Sequence, residues 1–151
     1  MAKSVFYSYS HVDELLRDRL EEGLALLKRE GVISNWHDRC IRPGSEFDKE
    51  ISEHVENDDV ILLLISSAFI NSDYCFEIEM AKAMERHEAG DAIVVPIILR
   101  PCDWHTAPFG RLNALPEDGR AVTTWENEDV AFAKIVSELR SLLTAEEPNE
   151  A

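Results

Sequence analysis

The chain has 151 residues, 45% hydrophobic and 30% charged, which is enough for one domain with a full core and too few for two ordinary ones. Its formal net charge of −15 argues against a nucleic-acid surface, which needs a basic stripe; spread over helices, the acidity serves solubility. Cys40, Cys75 and Cys102 form no CxxC pair, MAKSVFYSYS has no signal-peptide core, and the longest apolar runs are too short to span a membrane, so a reducing, cytoplasmic setting is expected.

Lys3–Ser8 reads as a short strand. Ser10 then caps a helix, with Asp13 completing a signature like a capping box. Leu15, Leu16, Leu20, Leu24 and Leu27 recur at helical spacing, and Gly31 ends that helix. Ile33–Trp36 is a brief second strand, followed by a loop reading WHDRCIRPG. Phe47–Glu56 is a short helix with Ile51 and Val55 inward. Val60–Ile65 is a continuous apolar run, the pattern of a strand buried on both faces. Asp73–Glu88 is helical, and Gly90 stops it. Ala92–Leu99 is a fourth strand that Pro96 pushes toward a sheet edge. A loop with three prolines and two glycines covers Arg100–Arg120, a weak strand Ala121–Thr124 follows, and Glu128–Leu143 closes the chain as an amphipathic helix. Residues 1–143 thus make one domain, and 144–151 an acidic tail or a linker to a further domain.

Alternation of strands and helices predicts an α/β fold with about five parallel strands and helices on both faces. Ligands of such sheets sit at the C-terminal strand edge. Three familiar occupants are excluded on residues. The turn SYSHVDE lacks the glycines of a dinucleotide-binding loop, no Gly-Lys-Ser or Gly-Lys-Thr is present, and Asp58 and Asp59 lie at the wrong end of their strand for a phosphoacceptor. The remaining constellation comprises Tyr7, Ser8 and Tyr9 after strand one, and Trp36, His37, Asp38 and Arg39 after strand two, with Arg42, Pro43 and Gly44 behind. Ser66 and Ser67 follow strand three and lead to Tyr74, Glu77 and Glu79. Such a set can stack an aromatic ring, accept ribose hydroxyls on a carboxylate, and pair a pyrophosphate with Arg39 or Arg42. It suits a nucleotide-like ligand without naming a reaction. His37 and Cys40 have no second pair beside them, so no metal site is expected. Cys75 reads as a small buried hydrophobe, Trp36 as core or interface, and Trp104 as a cap or a packed side chain.

The segments FYSYSHVDE, WHDRCIRPGSEFDKEI, ISSAFINSDYCFEIEMAKAMERHEAG, VVPIILRPCDW and FGRLNALP, in this order over residues 3–143, resemble the bacterial branch of the Toll/interleukin-1 receptor (TIR) domain family. The resemblance implies a flavodoxin-like fold with a five-stranded parallel sheet. Many bacterial and plant members cleave the nicotinamide–ribose bond of NAD+, giving nicotinamide and ADP-ribose or a cyclised form, often in defence against phage. NAD+ is then a substrate, and no resident cofactor is implied. TIR–TIR self-association, with a sensor domain or partner protein as trigger, is implied as well, and a non-enzymatic assembly module is the alternative. WHDRCIRPG matches the family's mobile loop.

The family's catalytic glutamate lies near the start of the helix after strand three, often four residues beyond an aromatic. Here Tyr74 plus four is Ile78, which leaves Glu79 and, as the alternative, Glu77. On an α-helix these sit about 200° apart, so only one can face the cleft. The stripe Phe76, Met80, Ala83 and Met84 leaves them on opposite flanks, whereas Glu79-Met80 followed by Ala81-Lys82-Ala83 aligns better with the family. Either acid would also serve as a first-turn carboxylate favoured by the helix dipole, and Glu79 as a surface partner of Lys82. Phe6, Tyr7, Ser8 and Tyr74 are the expected pocket lining, Asp38 and Arg39 the expected contacts to ligand or a neighbouring subunit; strand-end packing and a solvated Asp38–Arg39 pair are the plainer accounts.

Overall fold

The computed structural model describes residues 2–41, 53–72 and 74–145, with the backbone alone at 35, 37–41, 53, 54, 74 and 145. Strands β1 (Lys3–Ser10), β2 (Ile33–Ile41), β3 (Val60–Ile65) and β4 (Ile93–Ile98) form a parallel sheet in the order β2-β1-β3-β4. Helices α1 (Glu14–Arg29), α2 (Glu53–Asn57), α3 (Ser67–Asn71), α4 (Met80–Glu88) and α5 (Glu128–Ala145) complete the described fold. This is the strand order of flavodoxin-like sheets, with first and third strands adjacent at the centre.

Alternation along β1 divides the core. Val5, Tyr7 and Tyr9 pack with Leu16, Leu20, Leu24 and Leu27 of α1 and with Phe132, Ile135 and Leu139 of α5. Phe6 faces the other way, toward Val55 of α2, Phe69 of α3 and Met80, Ala83 and Met84 of α4. Because helices cover both faces, all six residues of β3 are buried, as its unbroken apolar run requires. Truncating Leu20, which is fully buried at the α1 face, is expected to cost about 2–5 kcal/mol in chemical denaturation. Leu15→Lys is expected to leave stability within about 0.5 kcal/mol, because Leu15 is 79% exposed.

Leu15 therefore departs from the expected stripe. Ser10 caps a 3-10 turn, His11–Asp13, by accepting a bond from the Val12 N–H, and α1 starts only at Glu14. The inward row begins at Leu16, about 100° around the axis. No capping box forms either, since the Asp13 carboxylate is engaged elsewhere.

Three further expectations are corrected. The first is that β2 ends at Trp36: it continues to Ile41, in parallel register with β1 from Lys3↔Ile33 to Ser10↔Ile41. Pairing along the whole of β1 draws polar residues of low strand propensity into the ladder, so residues 36–41 of WHDRCIRPG are strand, and Arg42, Pro43 and Gly44 lie outside the described residues. The second concerns Asp73–Glu88: a short α3 precedes it, and Tyr74–Glu79 is a π-helical turn leading into α4. Of the expected helix Phe47–Glu56, residues 53–56 are described and belong to α2, with Val55 buried, while Ile51 lies outside the described residues.

The third is the weak strand Ala121–Thr124, in which Val122–Thr124 is instead a 3-10 turn. The outer edge of β4 is closed differently: Leu115 bridges it, donating to the Pro96 carbonyl at 2.9 Å while its own carbonyl accepts from Ile98 at 2.9 Å. Pro96 thus turns its missing N–H away from β3, which is why an edge strand tolerates it. The expected tail starts inside α5, which runs to Ala145. Among the described residues no helix is long and apolar enough to cross a membrane.

Candidate functional site

The C-terminal ends of β1 and β3 converge on α3 and the π-helical turn. Ser8, the last residue of β1 paired with β3, points to the α4 side and is fully buried. Its hydroxyl donates a 2.6 Å hydrogen bond to Oε1 of Glu79, whose side chain is also fully buried. Burying a carboxylate is costly unless it is well hydrogen-bonded, so this position is not one that packing alone favours. Glu77, two residues earlier, is exposed.

The π-helical turn explains the difference. A turn closed by i→i+5 bonds carries one residue more than an α-turn, so the periodicity that left both glutamates on the flanks does not apply between Tyr74 and Glu79. Cys75 and Glu79 turn inward, and Cys75 donates from Sγ to the Tyr9 carbonyl at 3.5 Å. Ser72 fixes the start of the turn, its hydroxyl accepting from the Cys75 N–H and its carbonyl from the Phe76 N–H.

The other expected site residues divide. Phe6 lies on the same face as Ser8, fully buried against α2–α4. Tyr7 lies on the opposite face, packed in the α1–α5 core, and so does not join Glu79. In the ladder, Asp38 is the partner of Tyr7 and Arg39 the partner of Ser8, which brings the backbone of both beside the site. Tyr74 opens the π-helical turn. Trp36 is half-buried on the α1–α5 side and donates from Nε1 to Glu21 at 2.5 Å. Trp104 packs down into the α4-side core and stacks on His105.

A second polar cluster at the same edge joins Ser66, which the sequence places in the constellation, to Asp13 and Arg100, which it does not. Asp13 is fully buried; its Oδ2 accepts from the Ser66 hydroxyl at 2.5 Å and its Oδ1 from Arg100 Nε at 2.6 Å. These residues follow β1, β3 and β4 in turn, so the cluster ties three strand ends together. Its signal was present: Ser66 and Arg100 each stand directly after a strand. Beside it, burial and the carboxylates of Asp103 and Asp13 push the Cys102 thiol up, which keeps it protonated. Among the described residues no group of three or more His, Cys, Asp or Glu is placed to hold a metal.

A family model for the TIR domain matches residues 5–136. The chain belongs to the TIR domain family. The TIR domain is 58% identical over 137 residues to the Uncharacterized protein y4lF of Sinorhizobium fredii (strain NBRC 101917 / NGR234), covering 91% of this chain and 42% of that protein. It therefore spans less than half the length of that relative. Among solved structures it is similar to the TIR domains of the activated Roq1 resistosome directly recognizing the pathogen effector XopQ, at a TM-score of 0.46 and 20% identity, covering 95% of this chain and 82% of that one.

Proposed function

We propose that this TIR domain cleaves NAD+ at the nicotinamide–ribose bond, with Glu79 as the catalytic carboxylate. One observation carries the reading: Glu79 is fully buried at the C-terminal edge of the sheet, its Oε1 2.6 Å from the Ser8 hydroxyl. The π-helical turn supports it. Where the family often places an aromatic four residues before its glutamate, Tyr74 precedes Glu79 by five, and the backbone between them is an i→i+5 turn. The extra residue is taken up in the wider turn.

The chemistry asks little beyond such a group. Nicotinamide leaves a pyridinium as a neutral molecule, so the leaving group needs no acid. The ribose passes through an oxocarbenium-like state, as in glycoside hydrolysis. A fixed carboxylate stabilises that developing positive charge and accepts hydrogen bonds from ribose hydroxyls. In the structure the carboxylate is closed against Ser8; a ribose hydroxyl bound there takes the place of the serine as donor. Attack by water then gives ADP-ribose, and attack by the adenine or a ribose hydroxyl gives a cyclic product. Self-association through TIR–TIR contacts, a cytoplasmic setting and a role in defence against phage belong to the same proposal, and the free thiols of Cys75 and Cys102 suit that setting.

The complete burial of Glu79 also favours a second reading, a non-enzymatic assembly module, because a carboxylate without exposure meets a ligand only after rearrangement. The test is nicotinamide release from NAD+ by the protein at high concentration, with assembly followed by light scattering. Release supports the enzyme; an assembled protein that releases none supports the module.

A further inference from the structure

Arg100 is held in an unusual way for a side chain with 46% of its surface exposed. Its Nε donates to Asp13, a fully buried carboxylate whose other oxygen is held by Ser66. Anchoring through Nε fixes the plane of the guanidinium. Among the described residues nothing engages Nη1 or Nη2, so two donor groups of a pre-oriented fork remain at the sheet's C-terminal edge. A planar fork of this kind matches two oxygens of a phosphate group.

α3 and residues 102–103, two positions beyond Arg100, line an open groove of about 620 Å³ whose walls are Ser67, Ala68, Ile70, Asn71, Cys102 and Asp103. Ser67 follows Ser66, and Cys102 lies close enough to feel the charge of Asp13, so the groove and the Asp13–Arg100 pair adjoin. The lining offers apolar contact from Ala68 and Ile70, a carboxamide from Asn71 and a carboxylate from Asp103. Those groups suit the face of a base, its polar edge and a ribose diol respectively.

We propose that Arg100 holds the pyrophosphate of a nucleoside diphosphate whose nucleoside lies in the groove between α3 and residues 102–103. The choice of ligand rests on the NAD+ reading, in which this is the ADP half of the substrate, while Glu79 acts on the nicotinamide ribose. Asp13 and Ser66 are positioning residues that act through Arg100. A purely structural clamp would need only the charge pairing with Asp13.

The test is calorimetric titration with ADP, which contains no bond for Glu79 to cleave. Arg100→Lys keeps a cation beside Asp13 but loses the fork, and is expected to weaken ADP binding at least tenfold. Ser67→Asp places a carboxylate in the groove at the first turn of α3, where it suits the helix; it is expected to weaken ADP comparably with no fall in melting temperature. Wild type that does not bind ADP, or variants that bind it as wild type does, overturn the assignment. The two readings fail separately. ADP bound through Arg100 without nicotinamide release leaves the anchor and removes the reaction; release with a KM untouched by Arg100→Lys leaves the reaction and removes the anchor.

Discussion

Glu79→Gln is expected to lower nicotinamide release from NAD+ by at least about 10²-fold in kcat, the loss typical when one preorganised electrostatic partner of a transition state is removed. The substitution is close to isosteric. Its carbonyl oxygen can still accept from Ser8, whose hydroxyl lies 2.6 Å from Oε1, so the packing of the π-helical turn against β1 is retained. What is lost is the negative charge opposite the developing oxocarbenium. Melting temperature is the control, because the near-isosteric amide keeps the volume of the fully buried side chain. An inactive variant that is no less stable identifies a functional carboxylate. Activity that survives in Glu79→Gln but is lost in Glu77→Gln would move the catalytic role to an exposed residue, and activity that survives in both would remove the glutamate mechanism.

The parts of the fold legible in the sequence were those where one local pattern dominates. Val60–Ile65 was read with the bounds it has, because six consecutive apolar residues have one solution in a sheet covered on both faces. Pro96 marked its strand as an edge for a reason visible in the ladder, where its missing N–H faces away from β3. Gly31 and Gly90 ended their helices at positive φ. The errors fell where a partner strand or an irregular turn decides. The second half of β2 is polar and becomes strand through pairing with β1, which propensity does not see. The segment Ala121–Thr124 has strand-like residues, yet Leu115 already occupies the edge of β4. At the site, an α-helical period could not choose between Glu77 and Glu79, because the turn that carries them is not α-helical. Tyr7 and Ser8 were grouped as neighbours in sequence, but strand alternation sends them to opposite faces. The Asp13–Ser66–Arg100 cluster was out of reach for a different reason. It joins residues 53 and 87 positions apart from Asp13, and only the parallel order of β1, β3 and β4 brings them together.

Gly110→Ala is expected to destabilise the domain by about 3 kcal/mol, near the upper end of ordinary overpacking costs. Gly110 sits in the 3-10 turn Pro108–Arg111, its N–H donating to the Ala107 carbonyl at 2.8 Å. A Cβ there would lie 2.2 Å from the His105 carbonyl oxygen and 2.7 Å from its carbon, with the Trp104 carbonyl oxygen at 3.0 Å. All three are backbone atoms, so no side-chain rotation relieves the clash. The turn must shift, and it carries Phe109 and Trp104, both buried in the core on the α4 side. For a chain of this size the cost corresponds to a fall in melting temperature of roughly 6–12 °C. A variant melting within measurement error of wild type would show that the turn relaxes without disturbing either aromatic. Since Cys102 and Asp103 line the groove immediately before Trp104, the same displacement should weaken ADP binding, which Leu20→Ala on the opposite face of the sheet should not do.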